Sequence, residues 1–284
     1  MRVFTLVFSL LITVATSQTH DDGAETINNS PGHSSSFGYT GLEGPLNWYG
    51  LDRKHNGLCA KGRYQSPINI NSEIHSGRGG ISIQIPSASA DFENLGTTVE
   101  VALSNGLLFT PTGRYNLAQF HFHTPSEHRI HEEEYPLEVH FVFKNPAGRV
   151  AVVGFVFEIT ENRRGNALFE NIFSQVHKIA SPGTSVRLNR LMFGDLAAHL
   201  ESNPVYQYSG SLTTPPCTEG VSWFVSSKPL ALSTKMFNAI KHVLKFNARY
   251  TQNALGEKNL LEVAASELDL ASPELHEPVK HELR

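Results

Sequence analysis

Short runs of alternating or continuously apolar residues dominate the middle of the chain, and such runs are typical of β-strands. Strands are predicted at 81–85, 97–103, 117–123, 137–143, 150–159 and 221–227. Two segments, 167–179 and 234–245, instead have apolar residues at helical spacing, and Ser233 can cap the second of them. Many strands with few helices predict a mainly β (α+β) fold, in which short peripheral helices lie around a mostly antiparallel sheet.

The middle of the chain has the continuity of a single domain. From about Phe37 to Tyr250 there is no linker, low-complexity segment or internal repeat, and one domain is predicted over residues 37–265. Residues 18–36 before it are polar and rich in Ser, Asn and Gly, which predicts disorder. Residues 266–284 after it are charged and polar, which predicts a flexible C-terminal tail.

The N-terminus has the pattern of a secretory signal peptide. Arg2 supplies a positive charge, residues 3–14 form an apolar run, and small residues at 15–17 offer a cleavage site, so residues 1–17 are predicted to be removed. The apolar run is too short to span a bilayer, so we expect a secreted protein, or a periplasmic one in a bacterium, without a membrane span. Asn28 begins a glycosylation sequon just beyond this segment.

The amino-acid composition disfavours some classes of function and favours others. The 284 residues are 40% hydrophobic and 18% charged, with a formal net charge of −4, which is ordinary for a globular protein and unlike the basic balance of a nucleic-acid binder. Fourteen histidines raise the expectation of metal chemistry. The chain has two cysteines, Cys59 and Cys217, and in an oxidising compartment they favour one disulfide, with two free thiols as the alternative.

Histidines occupy strand positions where an ordinary strand would have Val or Thr. In QFHFHTPSEH, 119–128, alternation places Gln119, His121 and His123 on one face, and in the later strand Glu138 and His140 share a face. Imidazoles two residues apart on a strand can reach one ion. A wide hairpin would bring the His140 imidazole alongside them. Three imidazoles with an open fourth position are typical of catalytic zinc, and Gln119 and Glu138 can accept the other ring N–H of a ligand.

The residues around these histidines resemble the α-class carbonic anhydrase family. The resemblance rests on QFHFHTPSEH, EVHFV and GSLTTPPC, and it extends from about Tyr39 to Arg249 through YQSPINI, AVVGF, WFV and FNARYTQ. It implies a large twisted, mostly antiparallel sheet of about ten strands. It also implies Zn²⁺ held by His121, His123 and His140, and reversible hydration of CO₂ to bicarbonate and a proton.

The resemblance also implies roles for residues around the metal. In this family a zinc-bound hydroxide attacks CO₂; zinc lowers the pKa of bound water to about 7, an effect for which carbonic anhydrase is the standard example. A Thr held by a Glu aims that hydroxide, and the matching residues are Thr213 and Glu127. Asn247 matches a residue whose backbone carbonyl supports a zinc histidine, here His123. Cys59 and Cys217 match the disulfide of secreted members.

A substrate pocket and a proton path are implied in the same way. The residues that match the CO₂ pocket are Val142, Val152, Leu212, Thr214 and Trp223. Tyr39, Glu100 and His128 match positions of the cleft water network, and Thr97 stands where fast members have a proton-shuttle histidine. A hydroxyl cannot store a proton near neutral pH, so we expect proton export to be slow or to depend on buffer.

Two alternatives from other classes stay open at this point. A cupin-like metalloprotein also uses three His and one Glu, but Gly113 lacks the spacing to His121 that cupins require, and iron or manganese would identify it. A non-catalytic binding protein on the same fold is the other alternative, although relatives of that kind have lost a zinc histidine. The partner is expected to be a small molecule, and the chain could be a monomer or a homodimer.

Overall fold

The structure, a computed structural model, describes residues 37–161 and 165–271. The strands are β1 (Asn69–Ile70), β2 (Ser76–Gly77), β3 (Ser82–Gln84), β4 (Ala88–Asn94), β5 (Val99–Ala102), β6 (Leu107–Thr110), β7 (Gly113–His123), β8 (Arg129–Ile130), β9 (Glu133–Glu134), β10 (Leu137–Lys144), β11 (Val150–Thr160), β12 (Ser185–Leu191), β13 (Val205–Ser211), β14 (Glu219–Ser226) and β15 (Leu230–Ser233). The α-helices are α1 (Trp48–Leu51), α2 (Gly57–Lys61), α3 (Ala167–Phe173), α4 (Gly194–Ser202), α5 (Thr234–Leu244) and α6 (Leu260–Ala271). Short 3₁₀ helices cover Gly41–Glu43 and Val176–Ile179.

One large sheet of twelve strands dominates the fold. Its main order is β12-β4-β5-β7-β10-β11-β14-β13-β2, with β15 beside β11, and with β6 and β3 extending from β7. Most neighbours are antiparallel, whereas β11 runs parallel to β14 and to β15. A separate small sheet has the order β1-β8-β9. The predicted mainly β fold with a mostly antiparallel sheet and short helices is confirmed, with twelve strands where about ten were expected.

Each segment predicted from periodicity contains the expected element, although the ends differ. β7 begins at Gly113, earlier than predicted, and the predicted helix 167–179 is divided into α3 and a 3₁₀ turn. The division falls where the Ser174 hydroxyl donates to the Asn171 carbonyl at 2.7 Å. Ser233 caps α5 as predicted, because its hydroxyl accepts from the Met236 amide at 3.3 Å.

The two faces of the central strands have opposite characters. Phe120 and Phe122 of β7 and Phe141 of β10 are buried in the main core, where the Phe120 and Phe141 rings stack at 4.5 Å. Helix α3 covers this side, with Phe173 against Phe122 at 4.9 Å. Because side chains alternate, burying these phenylalanines directs the intervening histidines to the other face of the sheet.

The disulfide predicted between Cys59 and Cys217 is present. It links α2 to the loop between β13 and β14, across a sequence separation of 158 residues. In the chain-entropy treatment, closing so long a loop stabilises the fold by about 5 kcal/mol. The bond therefore fixes the loop that carries Leu212 and Thr213.

The predicted terminal segments are only partly within the described residues. Residues 1–17 and 18–36, with Asn28, lie outside them. Helix α6 includes residues 266–271 of the predicted tail, and the remaining 272–284 lie outside the description. Over the described part of the chain, no helix has the length and apolar character needed to cross a membrane.

Candidate metal centre

The three predicted histidine ligands lie together on β7 and β10. These strands are antiparallel neighbours, and His140 is the direct cross-strand partner of His121. His123 follows two residues after His121 on the same face, and the structure places one nitrogen from each ring within 4.8 Å of the others. His121 is half-buried, whereas His123 and His140 are buried. The wide hairpin expected between the strands therefore produces a compact group of three imidazoles.

Each of the three histidines donates a hydrogen bond from its second ring nitrogen to an oxygen. The pairs are His121 Nδ1 with Gln119 Oε1 at 2.9 Å, His123 Nδ1 with the Asn247 carbonyl at 2.8 Å, and His140 Nε2 with Glu138 Oε1 at 2.8 Å. Since these oxygens accept, the ring nitrogen that contacts each of them carries the proton, and the opposite nitrogen presents a lone pair. Outer partners of this kind fix the tautomer and orientation of metal-binding histidines.

The free nitrogens fit a zinc ion. His123 Nε2 is buried and has no hydrogen-bond partner among the described residues, an arrangement that is costly unless another group satisfies it. Burial lowers the pKa of His123 to about 4 and lowers those of His121 and His140, so the rings stay neutral as metal binding requires. An all-imidazole set suits zinc, copper, iron or nickel and disfavours magnesium or calcium.

A second group with metal-ligand spacing, formed by His128, Glu138 and His140, is explained by hydrogen bonds. Glu138 Oε1 accepts from His128 Nδ1 and from His140 Nε2, both at 2.8 Å. Its other oxygen accepts from the Glu127 and His128 amides at 2.9 Å. Burial alone would raise the pKa of Glu138, but the two histidines hold it well below its usual range, and the carboxylate stays charged.

A buried chain of side chains supports Glu138 from behind. His128 Nε2 contacts the Tyr208 hydroxyl at 2.6 Å, and that hydroxyl contacts Ser66 Oγ at 2.9 Å. His128 has no exposed surface, so its observed place behind Glu138 differs from the predicted place in a cleft water network. No local pattern in the sequence identifies Tyr208 as part of the site, because it lies 80 positions from His128 and only the fold brings the two together.

Removing the Tyr208 hydroxyl is expected to weaken zinc binding. In Tyr208→Phe the ring is kept, but His128 loses the partner that fixes it against Glu138, and Glu138 in turn orients His140. We expect a loss in zinc affinity of about tenfold, the low end for an outer-partner change. Competition with a chelator measures it. Tyr206→Phe on the same strand is the control, and equal affinities for the two variants would contradict this role.

Glu127 and Thr213 lie at the edge of the histidine group. Glu127 is buried, its Oε1 accepts from the Arg249 amide at 2.8 Å, and its Oε2 lies 3.5 Å from His123 Nε2. Burial raises the pKa of Glu127 to about 7, while His140, Thr213 and the Arg249 amide work against the rise. Thr213 is also buried. The structure thus brings together the two predicted catalytic residues and the predicted ligands.

An apolar wall borders the histidines. Val142, Val152 and Trp223 belong to one buried cluster, with Leu212 packed against it. The Trp223 ring lies 4.8 Å from the His140 ring. Thr214 is half-buried in the next position after Thr213. The predicted pocket residues are therefore neighbours of the metal ligands and offer an apolar surface beside them.

The remaining predicted cleft residues differ in their surroundings. Glu100 is the cross-strand partner of His121, and burial, followed by the charge of Glu93, raises the pKa of Glu100 to about 7. Thr97 is half-buried, with no titratable group of its own. Tyr39 packs against Trp48 at 5.7 Å and lines a cavity of about 370 Å³ on the Glu127 side.

Asn247 holds the end of β7 with its side chain as well as its carbonyl. Its Oδ1 accepts from the Thr124 amide at 2.8 Å, and its Nδ2 donates to the Phe122 carbonyl at 2.9 Å and the Thr97 carbonyl at 3.2 Å. The predicted carbonyl contact to His123 is thus one part of a larger clamp on the strand that carries two ligands.

A mostly antiparallel sheet that brings three imidazoles together on adjacent strands has the arrangement of a histidine-based metal site, and sequence comparison gives the family. A sequence profile described as eukaryotic-type carbonic anhydrase matches residues 43–260. The chain belongs to this family, the α-class carbonic anhydrases, as its motifs indicated. The enzyme class that follows is carbonate dehydratase, and the cupin-like alternative is wrong.

Known relatives agree with this assignment. The carbonic anhydrase of Pectobacterium atrosepticum is 33% identical over 217 residues, which cover 76% of this chain and 86% of that protein. The structure of a fungal α-carbonic anhydrase from Aspergillus oryzae is 51% identical with a TM-score of 0.79, covering 81% of this chain and 99% of that one. An α-carbonic anhydrase from Thermovibrio ammonificans, solved with the inhibitor sulfanilamide, is 33% identical with a TM-score of 0.70, covering 78% and 97%.

Proposed function

We propose that this chain hydrates CO₂ reversibly with one zinc ion held by His121, His123 and His140. The observation that carries the proposal is the convergence of three neutral ring nitrogens, each fixed by an outer acceptor. When bound, zinc supplies Lewis-acid activation of water, which provides a nucleophile near neutral pH.

Glu127 and Thr213 would orient the nucleophile. In its ionised form the Glu127 carboxylate can only accept, so the Thr213 hydroxyl directs its proton to Glu127 and keeps an oxygen lone pair for the site. That lone pair accepts a hydrogen bond from the attacking oxygen and aims it. The Arg249 amide holds Glu127 in place at 2.8 Å. This arrangement acts through fixed geometry, which is one of the larger sources of rate acceleration.

The apolar wall would hold CO₂ beside the nucleophile. Val142, Val152 and Trp223 offer no hydrogen-bonding group toward the histidines apart from the Trp223 ring N–H, which already donates to the Ser211 carbonyl at 2.9 Å. An uncharged, apolar substrate suits such a surface, whereas charged bicarbonate does not, so the wall favours release of the hydrated product.

Stopped-flow CO₂ hydration by the purified, zinc-loaded chain tests the proposal. We expect catalysis that sulfanilamide suppresses, by analogy with the inhibitor-bound Thermovibrio ammonificans enzyme. A folded chain that holds zinc and yet leaves the uncatalysed rate unchanged would instead support a non-catalytic binding protein on the same fold.

Proton export is expected to depend on buffer, because Thr97 stands at the shuttle position. Turnover in weak buffer should rise with added imidazole. In the absence of imidazole, Thr97→His should raise the turnover in weak buffer by up to about 100-fold, the low end of what a positioned proton-transfer group contributes. Thr97→Gln, which adds bulk without a titratable group, is the matched control. Turnover that is already maximal without imidazole would refute the expectation.

We also propose that the protein is secreted. The N-terminal pattern of residues 1–17 supports export, and the Cys59–Cys217 disulfide is typical of oxidising compartments. N-terminal sequencing of the protein from culture medium tests this, and an intact Met1 on an intracellular protein would contradict it.

A further inference from the structure

A cavity of about 410 Å³ lies between the N-terminal helices α1 and α2 and the C-terminal helix α6. Its lining includes Tyr49 and Arg53, Lys61 at the end of α2, and Leu261 and Glu262 of α6. The proposed zinc ligands, Glu127, Thr213 and the apolar wall do not line it. The volume falls in the range of about 300–1,000 Å³ that is usual for small-molecule sites.

Two positive charges converge on one aromatic ring in this cavity. The Arg53 guanidinium carbon lies 6.0 Å from the centre of the Tyr49 ring, and Lys61 Nζ lies 5.8 Å from it. In the described parts of the chain neither side chain forms an ion pair, in contrast to Arg187 with Asp91. Glu262 lines the same cavity without approaching either cation to ion-pair distance. Like charges held together favour a bound anion.

The walls of the cavity are tied to rigid parts of the fold. Cys59 of α2 is fixed by the disulfide. Asn259 joins α6 to α2, because its Nδ2 donates to the Cys59 carbonyl at 3.4 Å and the Gly62 carbonyl at 3.3 Å. Its Oδ1 also accepts from the Leu261 amide at 3.0 Å at the start of α6. The two helices therefore keep their spacing in the absence of a ligand.

We propose that this cavity binds a small amphipathic anion, a carboxylate with a short apolar tail. The head lies between Arg53 and Lys61, and the tail lies against Leu46, Leu261 and Ala265, which belong to the apolar part of the lining. Leu46 is 71% exposed, and a bound tail would cover it. The site is separate from the zinc centre and does not depend on its activity.

Titration of the ¹⁵N-labelled, zinc-loaded full chain with octanoate, followed by NMR, tests the proposal. Amide signals of α1, α2 and α6 should shift together, with a Kd near 1 mM. The double variant Arg53→Gln/Lys61→Gln should weaken binding by about tenfold or more, because both cations contact the head. Lys54→Gln/Arg63→Gln removes the same charge from exposed neighbours outside the cavity and should change binding less than about twofold.

Three outcomes would overturn the inference. One is that octanoate produces no shifts in these helices. Another is that both double variants bind octanoate as the unchanged chain does, which would place the anion elsewhere, including the zinc centre. The third is that inorganic phosphate binds as tightly as octanoate, which would remove the role of the tail. All four substituted side chains are exposed, so unchanged thermal unfolding will confirm that the variants fold.

Discussion

The His121→Ala variant is expected to lose both tightly bound zinc and CO₂ hydration. His121 supplies one of three converging nitrogens, and the two that remain lie on different strands. Losing an outer partner of a metal ligand already costs roughly 10–100-fold in affinity, so losing a ligand should cost well beyond that. Zinc content after dialysis and stopped-flow hydration measure the two effects on the same sample.

The control for this variant is His75→Ala. His75 is exposed beside β2 and does not belong to the metal centre. This control should keep zinc and activity, which separates the effect of the site from the effect of removing any histidine. Full activity in His121→Ala, with zinc still bound, would contradict the assignment of the ligand.

The Glu127→Gln variant is expected to keep zinc and lose most of its turnover. The Arg249 amide donates to Glu127 Oε1, so the glutamine oxygen will take that place and its NH₂ will replace Oε2, near His123 Nε2 and available to Thr213. An NH₂ group donates, so the Thr213 hydroxyl must accept from it and turn its own proton toward the site. The nucleophile then meets a donor where it needs an acceptor, and we expect a fall of about 10²–10³-fold, similar to the loss of other positioned hydrogen-bond groups.

Two measurements make this result specific. Zinc affinity by chelator competition should stay close to that of the unchanged chain, since Glu127 supplies no ligand nitrogen. Glu134→Gln makes the same chemical change at an exposed carboxylate near Arg129 and should leave turnover unchanged. If Glu127→Gln turned over as fast as Glu134→Gln, Thr213 would need no carboxylate to orient it.

Local periodicity was sufficient to predict the strands that carry the metal ligands. Phe120, Phe122 and Phe141 must be buried, and in a strand with a period of two this requirement alone places His121 and His140 on the opposite face. The register that makes these two histidines direct partners follows from pairing the two strands. The periodicity of the two strands was therefore enough to predict which face carries the metal ligands.

Other elements could not be predicted from their own sequences. β4, ASADFEN, alternates apolar and polar residues, but two of its three apolar positions are alanine and Asp91 and Glu93 have low strand propensity, so its strand form depends on pairing with β12 and β5. β13, VYQYSGS, has weak alternation, although it brings Tyr208 to His128. Each of the two strands pairs with the next strand along the chain and with a distant one, β12 for β4 and β2 for β13, and their Ala, Asp, Asn and Gly residues have low strand propensity.

The resemblance to known enzymes supplied pairings that spacing could not. The contact of the Asn247 carbonyl with His123 spans 124 positions and follows no local pattern. The resemblance was less informative about the surroundings of His128, which is buried behind Glu138, whereas a place in the cleft water network was expected. Burial depends on the packing of Tyr208 and Trp223 around this ring, with Trp223 at 4.8 Å.

Zinc K-edge X-ray absorption of the purified chain, together with its metal content, tests the central claim most directly. We predict one zinc per chain with three imidazole nitrogens as protein ligands, and loss of one of them in His121→Ala. Iron or manganese in place of zinc, sulfur among the ligands, or a spectrum unchanged by the substitution would contradict it.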